Sequence, residues 1–243
     1  MRYLVIADVH ANLAAFETVL SSVPAFDEIW CLGDIVGYGP DPNECIELLQ
    51  QHRHIAVAGN HDWAAIGRLD LDDFNPMARA AVEWTASELS GDNRRYLERL
   101  PVLLQKEGVT IVHGSVRFPV WEYIDEPAIA WENMALLETQ YCLVGHTHVP
   151  IMYIANGWRR RARAIALVGT SVALKLADRQ VILNVGSVGQ PRDGDPRAAY
   201  VMLDMASGAA ELHRVDYPID RTRRRMERVG LPNRNAFRLA LGR

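Results

Sequence analysis

The chain's candidate metal ligands occur in one ordered series of five short motifs: Asp8-Val9-His10, Gly33-Asp34, Gly59-Asn60-His61-Asp62, His113-Gly114 and Gly145-His146-Thr147-His148. Five of the eight histidines fall inside them. Any one motif alone reads as structural, because a lone histidine is commonly a satisfied core or capping residue. The set reads differently. Imidazole nitrogen mixed with Asp or Asn oxygen suits transition metals. Asp8, His10, Asp34, Asn60, His113, His146 and His148 make seven such groups, too many for one tetrahedral site and enough for two ions. Asp8 and His10 stand at i and i+2, as do His146 and His148, so each pair projects to one side of an extended chain.

Each motif follows a predicted strand, and in α/β sheets ligands bind beyond the carboxyl ends of strands. Tyr3 to Ala7 reads as a buried strand, and Asn12 to Val23 has helix-spaced apolar positions. The unit repeats with a strand at Glu28 to Leu32, a Gly37-Tyr38-Gly39-Pro40 turn, a helix opened by Asp41 as N-cap with Pro42 behind it, and a strand at Ile55 to Ala58. This alternation implies a parallel sheet. Asn75-Pro76 starts two helical stretches that run to about Leu100. Strands Val102 to Lys106 and Val109 to Val112 form a hairpin, followed by a helix at Ala128 to Leu137 and a strand at Tyr141 to Val144. A second hairpin is expected between Met152 to Ala155 and Trp158 to Ala164, with a type I′ turn at Asn156-Gly157. Strands at Val181 to Asn184 and Ala199 to Asp204 complete the count, which two stacked mixed β-sheets with helices outside would accommodate. No repeat, low-complexity tract or linker divides the chain, so one domain over residues 1–243 is expected.

With 49% apolar and 23% charged residues among 243, the chain has an ordinary soluble composition and enough apolar surface for a large core. Lys plus Arg is 26 and Asp plus Glu is 30, a net charge of −4 that argues against nucleic acid as a partner. The arginine runs Arg159 to Arg163 and Arg221 to Arg228 are read as solvated faces. Three widely spaced cysteines, Cys31, Cys45 and Cys142, fit no disulfide framework, and a cytoplasmic location is expected. The longest apolar run, Ala164 to Leu174, contains Gly169, Thr170 and Ser171, so no membrane span is expected.

In order and spacing the five motifs resemble those of the calcineurin-like metallophosphoesterase superfamily. Asn184-Val185-Gly186-Ser187-Val188-Gly189-Gln190-Pro191-Arg192-Asp193 resembles a loop of its small bacterial YfcE-type phosphodiesterase branch. The resemblance implies an α/β fold, a four-layer αββα sandwich with two mixed β-sheets. It also implies that Asp8, His10 and His148 hold one ion, that Asn60, His113 and His146 hold another, and that Asp34 bridges them. Elementary chemistry agrees: a carboxylate has two oxygens, and the neutral Asn60 amide adds an oxygen without charge that would repel a phosphate ester. Two divalent ions, from among Mn, Fe, Zn, Ni and Co, would acidify a bridging water and screen the phosphoryl oxygens. The implied activity is hydrolysis of small phosphodiesters or nucleotide-like phosphoesters by metal-bridged hydroxide. His61 is the implied catalytic residue, stabilising the phosphoryl oxygens or protonating the leaving group.

One departure bears on substrate. The serine/threonine phosphatases and symmetrical diadenosine tetraphosphatases of the superfamily have Asp-Arg-Gly where this chain has Gly37-Tyr38-Gly39. An aspartate to orient His61 and an arginine to grip a monoester are therefore absent at those positions. Arg117 and Arg192 become the candidates for phosphate contact, with Asn12 either lining the pocket or capping the first helix. Trp121 and Tyr123 could stack on a base or aryl group, but aromatic residues are more often core, and the core reading is taken. Two alternatives remain: a dinucleoside polyphosphate hydrolase, and a metal-binding interaction scaffold of the same fold.

Overall fold

The structure, a computed structural model, describes residues 1–169, 171–175 and 179–243; Thr170, within the apolar run noted above, lies outside the described residues. Along β1 (Arg2–Ile6), Tyr3 and Val5 face one core while Leu4 and Ile6 face another. This period-two alternation with both faces buried is why the segment reads as a continuous apolar run. Leu4 and Ile6 pack with Phe16 and Val19 of α1 (Leu13–Ser22) and Ile46 and Leu49 of α2 (Pro42–Gln50). Tyr3 and Val5 meet Ile111 of β5 (Val109–Val112), Leu143 of β6 (Tyr141–Val144) and Leu183 of β10 (Val181–Asn184) across the sheet interface. On the far side, Val112, Val144 and Ile182 pack with Ala130 and Met134 of α6 (Pro127–Met134). Helix, sheet, sheet and helix therefore form the four layers of an αββα sandwich.

The first sheet has the order β3-β2-β1-β11-β12-β9, with β2 (Glu28–Cys31), β3 (His54–Ala56), β9 (Ser171–Lys175), β11 (Ala198–Asp204) and β12 (Ala209–Val215) around β1. The second has the order β4-β5-β6-β10-β7-β8, adding β4 (Leu103–Lys106), β7 (Ile151–Asn156) and β8 (Arg161–Ala166). β1, β2 and β3 run parallel, as do β5, β6 and β10. Loops after strands from both sheets thus converge on one edge.

Sequence and structure differ at three informative places. Asp41 precedes α2 but accepts no capping hydrogen bond, because its carboxylate pairs with Arg225 of α7 (Ile219–Arg228). The Asn156-Gly157 turn is not type I′. Asn156 pairs with Arg161, leaving four loop residues, with Arg160 at φ 47°. The Glu107-Gly108 hairpin, at φ 50° and 78°, has the two left-handed residues that the other lacks. Strands β9 and β12 were not anticipated, although Ser207-Gly208, with Gly208 at φ 64°, is the turn that joins β12 to β11. Cys31, Cys45 and Cys142 are buried and free. Among the described residues no helix is long and apolar enough to cross a membrane.

Candidate metal centre and cleft

Asp8, His10, Asp34, His146 and His148 all have positive φ, between 49° and 67°, as do Ala11 and Tyr38 beside them. Left-handed backbone at non-glycine residues is strained and persists where the surroundings over-determine it. Here the strand-end loops are laced together: Asp8 N donates to Gly33 O (3.0 Å), His10 N to Asp34 O (2.9 Å), Gly189 N to Asp8 O (2.9 Å) and Gly145 N to His113 O (2.9 Å). Glycine is required where the loops cross. A Cβ on Gly59 would fall 2.1 Å from Asp34 Oδ1.

The ring orientations follow from the outer nitrogens. His10 Nδ1 lies 3.1 Å from Val36 O, His113 Nδ1 2.8 Å from Leu32 O, His148 Nδ1 2.6 Å from Gln190 O, and His146 Nε2 3.1 Å from Trp121 O. A carbonyl only accepts, so each of these nitrogens donates and the other ring nitrogen presents a lone pair inward. Those inward nitrogens crowd together. His10 Nε2 is 3.2 Å from His148 Nε2, and His148 Nε2 is 3.4 Å from Asp8 Oδ1. His113 Nε2 is 3.0 Å from His146 Nδ1 and 3.2 Å from Asn60 Oδ1. Between these two groups Asp34 Oδ2 lies 3.6 Å from His10 Nε2 and 3.4 Å from His113 Nε2, buried and without a hydrogen bond.

A buried cluster of acceptors facing acceptors is unfavourable unless positive charge lies among them. Electrostatics express the same demand. Burial disfavours a charged His113, yet Asp34 and then Asp8 outweigh it and raise its pKa to about 9. Burial likewise pushes Asp34 up, but His113 and His61 override it and hold the carboxylate well below its usual range. Burial keeps His10 and His148 neutral, well below the usual imidazole value. The donor chemistry therefore fits divalent metal. Asp8, His10 and His148 can converge on one ion, as can Asp34, His113 and His146.

His61 opens α3 (Asn60–Ala65), and its backbone N–H donates to Asp34 Oδ1 at 2.8 Å. The ring meets His10 edge-on at 4.9 Å between centroids, and the residue is only 4% exposed. Burial lowers its pKa to about 4. Its Nδ1 is buried with no partner, and a Cβ on Gly37 (φ +88°) would fall 2.5 Å from it. Position 37 therefore supplies no side chain to orient this ring.

The cluster opens into a cavity of about 270 Å³ lined by Asp34, Tyr38, Asn60, His61, His146, His148 and Arg192, and further out by Asp73, Phe74, Asn75, Ala78, Trp121 and Tyr123. Arg192 is in the cleft, its guanidinium 5.7 Å over the Tyr38 ring and its Nη2 donating to Gln190 Oε1 at 2.9 Å; its buried Nε has no partner. The other two substrate-contact candidates are placed elsewhere. Arg117 is not among the lining residues, because Glu122 and Glu132 hold its guanidinium. Asn12 is consumed structurally: its Oδ1 accepts from Ala15 N (3.3 Å) and Thr222 Oγ1 (2.7 Å), and its Nδ2 donates to Gly189 O (2.9 Å).

Trp121 and Tyr123 are corrected from core to cleft: they are 38% and 45% exposed, and Tyr123 stacks on His146 at 4.0 Å. Asp73, Phe74 and Asn75, just before α4 (Pro76–Glu88), also line the cavity, although Asn75-Pro76 signalled only a helix start. No local spacing reveals such a contribution.

Residues 1–208 match the model of the calcineurin-like phosphoesterase superfamily domain. The chain is 46% identical to a metallophosphoesterase from Sphaerobacter thermophilus, whose crystal structure superposes with a TM-score of 0.92 over 100% of this chain and 99% of that one. It is 33% identical to an uncharacterized protein of Methanocaldococcus jannaschii over 98% of this chain and 97% of that protein. A symmetrical bis(5'-nucleosyl)-tetraphosphatase from Actinobacillus pleuropneumoniae is 27% identical over 74% of this chain and 71% of its own length.

Proposed function

Because the chain belongs to the calcineurin-like phosphoesterase superfamily, we propose that it is a two-metal hydrolase of small phosphodiesters or nucleotide-like phosphoesters, acting as a single domain in the cytoplasm. The observation that carries this reading is Asp34, whose unpartnered buried Oδ2 lies between the inward nitrogens of His10 and His113. That is where a bridging ligand belongs. Asp8, His10 and His148 would hold one transition-metal ion and Asn60, His113 and His146 the other. When bound, such a pair supplies Lewis-acid stabilisation of the phosphoryl oxygens and an acidified water.

The chain's own residues do the rest. The carbonyls of Val36, Leu32, Gln190 and Trp121 fix the four ligand tautomers, so the cluster is organised before substrate arrives. His61 is neutral near pH 7, consistent with its pKa near 4. With Nδ1 lodged against Gly37, Nε2 is assigned the work of donating a hydrogen bond to a phosphoryl or leaving-group oxygen. Arg192 replaces the missing arginine at Tyr38, delivering a guanidinium to the cleft from the loop after β10. A diester carries less charge than a monoester dianion and needs less gripping, which supports the diester preference.

Cleavage of dinucleoside polyphosphates is a second reading, favoured by the likeness to symmetrical tetraphosphatases. A scaffold role fits less well with a buried His61 beside a complete ligand set. The test is a panel of aryl diester, aryl monoester, cyclic nucleotide, dinucleoside polyphosphate and phosphopeptide, with chelator and with Mn, Co, Ni, Zn or Fe restored. Metal-dependent kcat/KM highest for a diester or nucleotide ester is expected. A highest value for the phosphopeptide overturns the substrate reading, and no metal-restored turnover overturns the enzyme.

A further inference from the structure

Beyond the ligand cluster, the cleft continues as a row of rings. His10 meets His61 at 4.9 Å, His61 meets Phe74 edge-on at 5.3 Å, and Phe74 meets Trp121 at 5.2 Å. Solvent access rises along the row, from 1% at His10 and 4% at His61 to 38% at Trp121. A phosphate seated at the cluster would have its substituent led along this wall. Core packing does not require an outer ring to face an open cavity, and pockets lined by aromatics with a few polar groups are the usual form of small-molecule sites. The polar groups are present: Asp73 and Asn75 flank Phe74 at the cavity, and Asn75, whose Oδ1 caps α4 by accepting from Met77 N and Ala78 N at 3.1 Å each, keeps its Nδ2 to donate.

The loop bearing Trp121 is held rigidly. Glu122 accepts from Ser115 Oγ (2.7 Å) and Asn133 Nδ2 (2.9 Å) and pairs with Arg117, while Gly114 N donates to Pro119 O (2.6 Å). The carbonyl of Trp121 also accepts a hydrogen bond from His146 Nε2, so one residue both steadies a candidate ligand histidine and presents a ring to the cleft. A preorganised ring loses little entropy on stacking.

Building on the phosphoesterase reading above, we propose that Phe74 and Trp121 form a subsite for the planar aromatic group of the substrate, a nucleobase whose edge is read by Asp73 and Asn75. At about 270 Å³ the cavity is of a size that takes a nucleotide-sized ligand.

The test is calorimetric, so it does not depend on turnover. Adenosine monophosphate, phenyl phosphate and methyl phosphate are titrated into the metal-loaded protein and its variants. Wild type is expected to bind adenosine monophosphate at least about tenfold tighter than methyl phosphate. Trp121→Ala should weaken adenosine monophosphate roughly 5- to 150-fold, the range for one base stacked on a ring, and leave methyl phosphate unchanged. Trp121→Phe should restore most of the loss, separating stacking from damage to the loop. Asp73→Ala should weaken adenosine monophosphate but not phenyl phosphate; equal effects on both would replace the nucleobase with a simple aryl group. The subsite is overturned if methyl phosphate binds as tightly as adenosine monophosphate, or if Trp121→Ala and Phe74→Ala bind adenosine monophosphate like wild type. A ring-dependent preference in a protein that hydrolyses no phosphoester would refute the hydrolase reading and keep the subsite.

Discussion

The floor of the cleft and its outer wall are built by different means. Floor residues stand within a few positions of strand ends and are buried, and Asp8, His10, Asp34, His146 and His148 among them have left-handed backbone held by hydrogen bonds between neighbouring loops. Wall residues come from the segment before α4 and from the loop after β5, are part exposed, and are fixed by side chains such as Glu122. On the proposed function, reaction chemistry, which tolerates little displacement, would sit where two sheets over-determine it, and selectivity where a loop can change without disturbing them.

That contrast implies a descending order of effects. Asp34→Ala removes the carboxylate common to both halves of the floor, so it should lose bound metal and lower kcat/KM by at least about 10³-fold, read by elemental analysis beside kinetics. His61→Ala should keep its metal while kcat falls roughly 10²- to 10⁴-fold, the span for a positioned acid or base. Equal metal loss in both variants would make His61 a structural residue. Gly37→Ala probes the same ring from behind: a Cβ would fall 2.5 Å from His61 Nδ1. A displacement near 1 Å can cost about 10²-fold, so kcat should drop with metal content unchanged. Unaltered kcat would mean that the ring position does not matter.

Glu28 supplies the control, remote from both regions. Its carboxylate accepts from the buried Trp30 Nε1 at 3.0 Å and pairs with Arg53 and Lys106. Burial pushes the carboxyl up, but Lys106 and Trp30 outweigh it and hold the pKa below the ordinary value. A depressed folded value means stabilisation that is present above the unfolded pKa of about 4.3 and fades as pH falls through the folded one. Glu28→Ala should cost about 1–3 kcal/mol at pH 7 by leaving the indole N–H unpaired, with a shallower acid dependence of Tm and unchanged kcat. A fall in kcat matching the loss of stability would blur the distinction between scaffold and site.

Legibility in the sequence follows the same division. Asp8, His10, Asp34, Asn60, His113, His146 and His148 could be singled out as candidate ligands because polar ligand types just past a strand, often beside glycine, are a local pattern, and the sandwich could be read because many of its strands are short continuous apolar runs. Arg117, Asn12, Trp121 and Phe74 could not be assigned, since whether an arginine meets a glutamate or a phosphate depends on partners distant in sequence. Glu132 lies 15 residues from Arg117, and Thr222 lies 210 from Asn12. The Asn156-Gly157 turn failed for a related reason: the pairing of Asn156 with Arg161 set the loop length against the local dipeptide preference.

The most direct measurement is the number of metal ions per chain, taken by elemental analysis during stepwise reconstitution of stripped wild-type protein with phosphoesterase activity followed in parallel. Two ions per chain are expected, with activity tracking the second. Saturation at one ion, or full activity in the stripped protein, would contradict a floor in which Asp34 joins two metal sites.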